Sequence, residues 1–391
     1  MKKGILIAVA VAIGGFFALQ ANNWIEGRRA LTGMTKSDFA IEGKPILVQN
    51  KAVPAGLPDL RAASKRVLQS VVSVDASGTV EDFFGRRQLT NLGGGSGVII
   101  SENGYIVTNN HVITNPSLGR PAEILKVHLP DDTIVEGKLV GFDQRSDLAV
   151  IKVNRTGLVP IDQDTAYKPE IGEWVLAAGS PLGYDNTISV GVISSLDREV
   201  DMSGAGNARR GGADVLTEAI QTDAAINPGN SGGALTNVSG TLLGINTVIA
   251  SNTGTNVGIG FAIPASRVRQ VAADIIKYGY VKYGSLGILV YPNPDILKYE
   301  RNREAYKAEF GAYPPSEGLV IEAAQPDSPA AKLGIEQYSI LLAVEGKKMT
   351  RPVDLQKALL TAAPGKKVNV RFWKKGKTYE GTVTLTELAN N

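Results

Sequence analysis

The chain of 391 residues contains no cysteine and only 2 histidines. The lack of cysteine excludes disulfides, thiolate metal sites and a cysteine nucleophile. It does not exclude export, because disulfides are chiefly a necessity of small secreted domains. An excess of one charge is also lacking: 41 basic and 38 acidic side chains leave a net charge of +3 without a basic block. This balance argues against nucleic acid as a partner.

With 43% hydrophobic and 20% charged residues, the composition is typical of an ordinary globular protein of two or three domains. The feature with the clearest chemistry is Gly-Asn-Ser-Gly-Gly at residues 229–233. Glycines permit backbone angles that other residues avoid, so the amides of Gly229 and Ser231 can turn toward one point beside the serine hydroxyl. The segment Gly229, Asn230 and Ser231 is therefore a candidate oxyanion hole, and Ser231 a candidate nucleophile. The alternative is a glycine-rich turn that the serine merely caps.

A serine nucleophile needs a base, and the two histidines differ in their surroundings. His128 lies in Leu-Lys-Val-His-Leu (125–129), where apolar and polar residues alternate, so it is expected to point to solvent from a half-buried strand. His111 follows a short β-rich run and sits where Asn109 and Asn110 break the strand. His111 is the better candidate for the base.

The acid that orients the base is harder to choose among 38 acidic residues. Asp147 immediately precedes a strongly apolar run (148–151), so its carboxylate is expected to be drawn inward. His111, Asp147 and Ser231 then follow the chain order of the chymotrypsin type of triad.

Four short segments carry a family resemblance: Thr-Asn-Asn-His-Val (108–112), Ser-Asp-Leu-Ala-Val (146–150), the glycine-rich 229–233 and Gly-Phe-Ala-Ile-Pro (260–264). They resemble the HtrA (Deg) family of trypsin-like serine proteases with one carboxyl-terminal PDZ domain. The resemblance implies a catalytic triad of His111, Asp147 and Ser231 in the cleft between two β-barrels. It also implies trimers or multiples of them, and neither a metal nor an organic cofactor.

Short apolar runs separated by turn signals support this mainly β fold class, with a chymotrypsin-like double β-barrel over residues 61–278. The resemblance implies that the floor of the primary substrate pocket would be Ala225, with Ile226 and Val248 as neighbours. No charge is present there, which favours small or branched aliphatic side chains, since a buried unpaired cation is costly. Residues 76–95, 196–214 and 251–258 are expected to be long loops, either regulatory, as the resemblance implies, or tolerated surface insertions.

The amino terminus predicts a membrane segment, because Lys2 and Lys3 precede an almost wholly apolar stretch at 4–21. Residues 1–21 are either a retained anchor or a cleaved signal; the bulky Leu19 and the aromatic Trp24 favour the anchor. An anchored chain would be single-pass in a bacterial inner membrane with its catalytic part in the periplasm or outside, and a cleaved one soluble and periplasmic or secreted. Residues 22–60, mixed in charge, glycine and proline, are predicted to be a linker.

The pattern restarts after a helix-like stretch at 266–278, and residues 283–388 resemble a PDZ domain, a smaller α+β module that binds chain termini by adding them as a strand. The loop Ser285, Leu286, Gly287 and Ile288 would take a peptide carboxylate, and a helix near 353–360 would close the groove. A charged, partly helical segment at 292–316 departs from a compact PDZ domain. The module could therefore be a spacer instead.

These features together predict an envelope serine endopeptidase that cleaves unfolded or damaged proteins without ATP by acyl-enzyme chemistry. Its PDZ-like module would regulate activity, as part of protein quality control. The alternative is a chaperone or scaffold that binds peptides with little or no cleavage.

Overall fold

Residues 59–81, 85–116, 118–180, 186–201, 215–249 and 258–388 are described by the computed structural model. The predicted membrane segment (1–21) and all but the end of the predicted linker lie outside these ranges. The first element is the helix α1 (Leu60–Leu68). The Asp59 carboxylate caps it by accepting from the Arg61 amide at 3.1 Å. No helix in the described ranges is long and apolar enough to cross a membrane.

Eight strands and a short 3-10 turn follow α1. They are β1 (Val71–Glu81), β2 (Arg87–Ile99), β3 (Tyr105–Asn109), the turn His111–Ile113, β4 (Thr114–Asn115), β5 (Arg120–Pro121), β6 (Ile124–His128), β7 (Ile134–Asp143) and β8 (Leu148–Val153). Six of them close into an antiparallel barrel in the order β1-β2-β3-β8-β7-β6, while β4 and β5 pair separately. Alternation fills the barrel, since Leu125 and Val127 of β6 are buried while Lys126 between them is exposed.

The next six strands form a second closed barrel. They are β9 (Trp174–Gly179), β10 (Thr187–Asp201), β11 (Val215–Thr222), β12 (Ala234–Asn237), β13 (Leu242–Ile249) and β14 (Gly260–Pro264), in the order β10-β11-β14-β13-β12-β9. One buried cluster joins the two barrels and includes Val107, Leu148, Ala178 and Ile245. The cleft between the barrels is thereby fixed by a shared core.

The prediction that residues 76–95 form a loop is wrong. β1 and β2 continue as a long hairpin, with Val80 opposite Gln88. Residues 196–201 likewise belong to β10. Of the three predicted loops, residues 82–84, 202–214 and 251–257 lie outside the described ranges.

A second helix, α2 (Ala265–Tyr278), follows the second barrel and ends at Gly279, whose φ of 84° closes the helix as a left-handed cap. It contacts β7 of the first barrel closely, because a Cβ at Gly141 would lie 2.1 Å from the Gly279 carbonyl oxygen. The segment that follows is thus anchored beside the β7–β8 turn.

The carboxyl-terminal segment is a small α+β unit. Its strands are β15 (Gly284–Ser285), β16 (Ile288–Val290), β17 (Leu319–Ala324), β18 (Ile340–Val344), β19 (Lys347–Lys348), β20 (Lys367–Lys374), β21 (Lys377–Thr384) and β22 (Thr386–Glu387). Its helices are α3 (Glu300–Phe310), α4 (Pro329–Lys332) and α5 (Pro352–Leu360). The main sheet runs β16-β17-β18-β20-β21, with β19 beside β18, so β16 is an edge strand. The predicted fold class, mainly β with two barrels and a smaller α+β domain, is confirmed.

The charged segment at 292–316 contains α3, as its composition predicted. Tyr306 of α3 is buried on the sheet in a cluster with Leu297, Val320, Ile340 and Trp373. This cluster is separate from the main core of the unit, which centres on residues such as Leu319, Leu341 and Phe372. The barrels and this unit belong to one compact body.

Candidate active site

His111 and Asp147 meet at the ends of two paired strands. β3 and β8 are neighbours, with Asn109 opposite Leu148, so the residues just beyond them lie side by side. The Nδ1 of His111 is 2.7 Å from Oδ2 of Asp147, and the His111 amide donates to Oδ1 of the same carboxylate at 3.1 Å. Two contacts to one carboxylate fix both the ring and its backbone.

The Asp147 carboxylate is held on several sides. It is 1% exposed, and its backbone φ of 55° lies in the left-handed region, where a residue other than glycine costs free energy and must be held by its surroundings. Its carbonyl oxygen accepts from Nδ2 of Asn109 and from the amide of Asn110, both at 3.0 Å. The Asn-Asn pair before His111 therefore both ends the strand β3 and holds the backbone of Asp147.

Thr247 on β13 connects Asp147 to Ser231. The Thr247 hydroxyl donates to Oδ2 of Asp147 at 2.9 Å, and the Ser231 hydroxyl donates to the Thr247 carbonyl oxygen at 2.8 Å. The three predicted residues are therefore brought to one place, His111 and Asp147 from the first barrel and Ser231 from the second. For the Ser231 proton to pass to His111, the hydroxyl must first turn away from Thr247.

The two amides predicted for an oxyanion hole have no hydrogen-bond acceptor among the described residues. Gly229 has a φ of 103°, a conformation that glycine adopts without strain. The inclusion of Asn230 is wrong, because its amide donates to the Asn227 carbonyl oxygen at 2.9 Å. Its side chain is also engaged, with Nδ2 donating to the Ala225 carbonyl oxygen at 3.4 Å. Asn230 therefore shapes the loop from within.

Ser96 of β2 was not found from the sequence, yet from the first barrel it binds the loop that carries the candidate nucleophile Ser231 (residues 227–233, called the nucleophile loop below). Its buried hydroxyl donates to the Gly229 carbonyl oxygen at 2.6 Å and accepts from the Ser180 amide at 2.8 Å. Its amide donates to the Ser231 carbonyl oxygen at 2.7 Å. Thr247 was missed as well. No local pattern distinguishes either residue from other hydroxyls in strands.

The predicted pocket residues separate in the structure. Ala225 is exposed, whereas Ile226 is 1% exposed and belongs to the core of the second barrel. The prediction that Ile226 lines the pocket is wrong for that reason, since its side chain is used in packing against Gly260. Val248 lies within β13, and its side chain is outside the described part of the chain.

His128 is not a simple solvent-facing side chain. Its Nε2 is 2.8 Å from Oδ2 of Asp75, and both side chains are 26% exposed. The pair bridges β1 and β6, which run side by side there. His128 thus has a structural partner in the first barrel.

The predicted carboxylate loop precedes the edge strand β16. Ser285 and Leu286 are buried and Ile288 is half-buried. The amide of Gly287 donates to the Ser285 hydroxyl at 2.9 Å, so this amide is not free to bind a carboxylate as the loop stands. The edge of β16 is the kind of surface to which a peptide strand adds.

Two family models match the chain: one described as a trypsin-like peptidase domain, at residues 95–245, and one described as a PDZ domain, at residues 284–385. The double barrel with its His-Asp-Ser cluster, followed by the α+β unit, therefore defines a trypsin-like peptidase joined to a PDZ domain.

Individual relatives narrow this class. The solved structure of the serine endoprotease from Yersinia pestis is 32% identical with a TM-score of 0.60, and the comparison covers 86% of this chain and 100% of that one. A structure of the HtrA-type protease AlgW with a decapeptide is 28% identical with a TM-score of 0.64, over 85% of this chain and 99% of that one. The chain belongs to the HtrA (Deg) family of trypsin-like serine proteases.

Among curated proteins, a probable periplasmic serine endoprotease, DegP-like, from Brucella suis biovar 1 (strain 1330) is 37% identical over 300 residues. That match covers 76% of this chain and 53% of the relative. The chain spans about half the length of the curated relatives it matches.

Proposed function

We propose that this protein is a serine endopeptidase of the bacterial envelope, in which Ser231 is the nucleophile, His111 the general base and Asp147 the group that orients His111. The observation that carries the proposal is the continuous set of hydrogen bonds from His111 through Asp147 and Thr247 to Ser231. A glycine-rich turn that only caps itself would not need a buried carboxylate from the other barrel.

In the proposed reaction, the Ser231 hydroxyl leaves Thr247, loses its proton to His111 and attacks the carbonyl carbon of a peptide bond. The amides of Gly229 and Ser231 donate to the resulting oxyanion, which is where preorganised donors stabilise the transition state most. His111 then gives the proton to the leaving amine, and a water activated by His111 hydrolyses the acyl-enzyme. Asp147 holds the tautomer in which Nδ1 carries a proton and stabilises the imidazolium.

The substrates we propose are unfolded or damaged proteins, cleaved without ATP. Such chains present extended backbone to an open cleft, and the exposed Ala225 at the predicted pocket floor suits small or branched aliphatic side chains. The DegP-like relative is described as periplasmic, which supports an extracytoplasmic location and a role in protein quality control. Anchoring by residues 1–21 and assembly into trimers are part of the same proposal.

Regulation by the PDZ domain is supported by how α5 contacts the second barrel. At one end, Arg351 makes two bonds to Glu199 of β10, at 2.7 and 2.9 Å. Further along, Lys357 binds Asp197 of β10 at 2.9 Å. The carbonyl oxygen of Leu360 accepts from Arg267 of the helix α2, which follows the second barrel, at 2.7 Å. AlgW was solved with a decapeptide. We propose that a peptide carboxyl terminus enters beside β16, at the loop 285–288, and acts on the barrels through α5.

The test is Ser231→Ala in the full-length protein. Loss of a triad nucleophile typically lowers turnover about a millionfold, so the variant should not cleave casein and should not be labelled by a fluorophosphonate. Its thermal unfolding should match that of the wild type, because only one half-buried hydroxyl is removed. If wild type and variant hold unfolded casein equally and neither cleaves it, the protein is a binding scaffold.

A further inference from the structure

A tyrosine at the start of the PDZ segment contacts the turn that carries the triad aspartate. The Tyr283 hydroxyl donates to Oδ2 of Asp143 at 2.6 Å, and the two residues are 7% and 8% exposed. We propose that Tyr283 is a positioning residue for Asp147, supplied to the active site from outside the two barrels. The inference rests on the proposed function, since Asp147 matters only if His111 acts as the base.

Asp143 organises the β7–β8 turn from within. The oxygen that accepts from Tyr283 also accepts from the amide of Ser146 at 2.9 Å and from the Ser146 hydroxyl. Asp143 lies opposite Leu148 in the strand pairing, so only residues 144–147 separate the two paired ends. Asp147 is the last residue of that turn. Its left-handed backbone persists only where the surrounding structure fixes it. The Asp143 carboxylate contributes to that structure by accepting the three hydrogen bonds from Tyr283 and Ser146.

Tyr283 belongs to both parts of the molecule. Its ring lies in the core cluster shared by the barrels and α2, and the Arg145 guanidinium sits 5.3 Å from the ring centre. Its backbone is already part of the PDZ unit, because its carbonyl oxygen accepts from the Leu388 amide at 2.8 Å and Gly284 follows it in β15. A displacement of the PDZ segment would therefore pull on the Asp143 carboxylate directly.

The Tyr283 hydroxyl stays protonated throughout the physiological pH range. Burial, and then the charge of Asp143, raise the pKa of Tyr283 well above its usual value, while Arg267 and Arg145 oppose that shift. The hydroxyl therefore keeps the proton that it donates to Asp143, and this hydrogen bond constrains the turn. What can change it is the position of the segment that begins at Tyr283, only two residues before the Ser285 end of the carboxylate loop.

The experiment is Tyr283→Phe in the full-length protein, with Tyr280→Phe as the matched control. The first variant removes only the hydroxyl bonded to Asp143. Tyr280 lies three residues before Tyr283 in the chain. The second variant removes its hydroxyl, which donates at the surface to Oε1 of Glu387 at 2.8 Å. Small displacements of catalytic groups cost up to about 100-fold, so we expect kcat on a small peptide to fall about tenfold in Tyr283→Phe. KM should stay within about twofold, and Tyr280→Phe should match the wild type in both constants.

A readout that does not need activity is the Nδ1 proton of His111, seen by NMR with nitrogen-15-labelled histidine. The chain has only 2 histidines, so a spectrum of His128→Gln assigns the signal. Tyr283→Phe should move or broaden this signal, and Tyr280→Phe should leave it in place. A wild type that cleaves nothing would defeat the proposed function, while the His111 signal would still test the link from Tyr283.

Two results would overturn the inference. One is a Tyr283→Phe protein with wild-type kcat and an unchanged His111 signal. The other comes from combining Tyr283→Phe with Ser146→Ala: because both hydroxyls act through one oxygen of Asp143, their effects on kcat should not be additive. Strict additivity would mean that the two side chains act separately.

Discussion

Ser96 of the first barrel makes two hydrogen bonds to the nucleophile loop, next to the Ser231 amide. It binds the carbonyl oxygens of Gly229 and Ser231, on either side of the peptide that contains the Ser231 amide. Each peptide unit is planar, so fixing two alternate units restricts the orientation of the unit between them. Ser96 therefore restricts the direction of the Ser231 amide, one of the two donors proposed for the oxyanion hole.

We predict that Ser96→Ala lowers kcat about tenfold, less than the roughly 100- to 1,000-fold loss on removing an oxyanion-hole donor itself. It should also destabilise the fold, by about 1–3 kcal/mol for the buried Ser180 amide left without a hydrogen bond and by less for the half-buried Gly229 carbonyl. Steady-state kinetics per fluorophosphonate-labelled site, together with urea unfolding, measure both effects.

The control is Thr241→Val, which removes another buried hydroxyl. Thr241 is 5% exposed and donates to Oδ2 of Asp162 at 2.7 Å, away from the nucleophile loop. It should lose stability but keep its kcat. An equal loss of kcat in both variants would show that Ser96 contributes only to folding.

At this scale, the sequence predicts residues whose chemistry is carried by a local pattern. His111 and Ser231 stand out because a strand break and paired glycines surround them, and Asp147 because it precedes an apolar strand. Thr247 and Ser96 are ordinary hydroxyls on strands, and they become important only when two barrels bring them within 3 Å of the triad residues or the nucleophile loop. Ile226 shows the opposite error, since nearness to Ser231 in sequence suggested a pocket and the fold uses the side chain as core.

Among the elements, the β1–β2 hairpin shows why glycine misleads. Gly93, Gly94 and Gly95 suggest a loop, because glycine weakens an ordinary strand. In β2, glycine is needed for close approach: a Cβ at Gly95 would lie 2.8 Å from the Ser231 carbonyl oxygen. The need for glycine comes from the neighbouring barrel, which a local pattern cannot reveal. Strands with clear alternation, such as β6, were predicted nearly to the residue.

The α3 insertion supplies a prediction at the scale of elements. Tyr306 is 9% exposed, and its ring lies 6.1 Å from that of Trp373. Removing a buried aromatic side chain typically costs about 3–5 kcal/mol, so Tyr306→Ala should destabilise the PDZ unit by about 3 kcal/mol. Urea unfolding followed by Trp373 fluorescence measures this.

The matched control is Tyr299→Ala. Tyr299 is 55% exposed at the start of the same helix, and its side chain makes no capping bond there. Substitutions at such surface positions usually change stability by no more than about 0.5 kcal/mol. Should both variants unfold at the same urea concentration as the wild type, α3 would be a surface appendage rather than part of the PDZ core.

In the whole molecule, the barrels and the PDZ unit are joined by charges on α5 as well as by Tyr283. Glu199 accepts from Arg351 at 2.7 Å and lies 3.2 Å from the Lys357 ammonium. Hydrogen bonding from Arg351, followed by that from Lys357, holds the pKa of Glu199 below its usual range, against the opposing effect of burial. A carboxyl whose pKa is lowered by a contact stabilises that contact at pH values above the ordinary pKa of the carboxyl. Here the contact is the docking of α5 and the adjacent Arg351 on β10. That stabilisation is lost as the pH falls through the lowered value.

The last prediction is that this docking opposes peptide binding beside β16, because a peptide that enters between β16 and α5 must shift a helix that the second barrel holds. Glu199→Gln removes the charge from the docking site. Glu199 makes two partly exposed ion pairs, and such pairs contribute up to about 1 kcal/mol each. The variant should therefore bind a peptide with a free apolar carboxyl terminus up to about 30-fold more tightly. Coupling is reciprocal, so such peptides should also weaken docking and change the activity of the barrels. Calorimetry on full-length protein carrying Ser231→Ala measures the affinity. The wild-type value should approach that of Glu199→Gln only as the pH falls below the ordinary glutamate pKa of about 4.3 and through the lowered pKa of Glu199.

Glu336→Gln is the control, because Glu336 pairs with Lys374 and Lys375 inside the PDZ unit and its pKa is lowered by them in the same way. It should leave peptide affinity unchanged, and amidation of the peptide should abolish binding to every variant. If Glu199→Gln and the wild type bind the peptide with equal affinity at neutral pH, peptide binding does not require α5 to separate from Glu199 and Asp197 on β10. The route from peptide to triad would then run through the segment beginning at Tyr283 rather than through the helix.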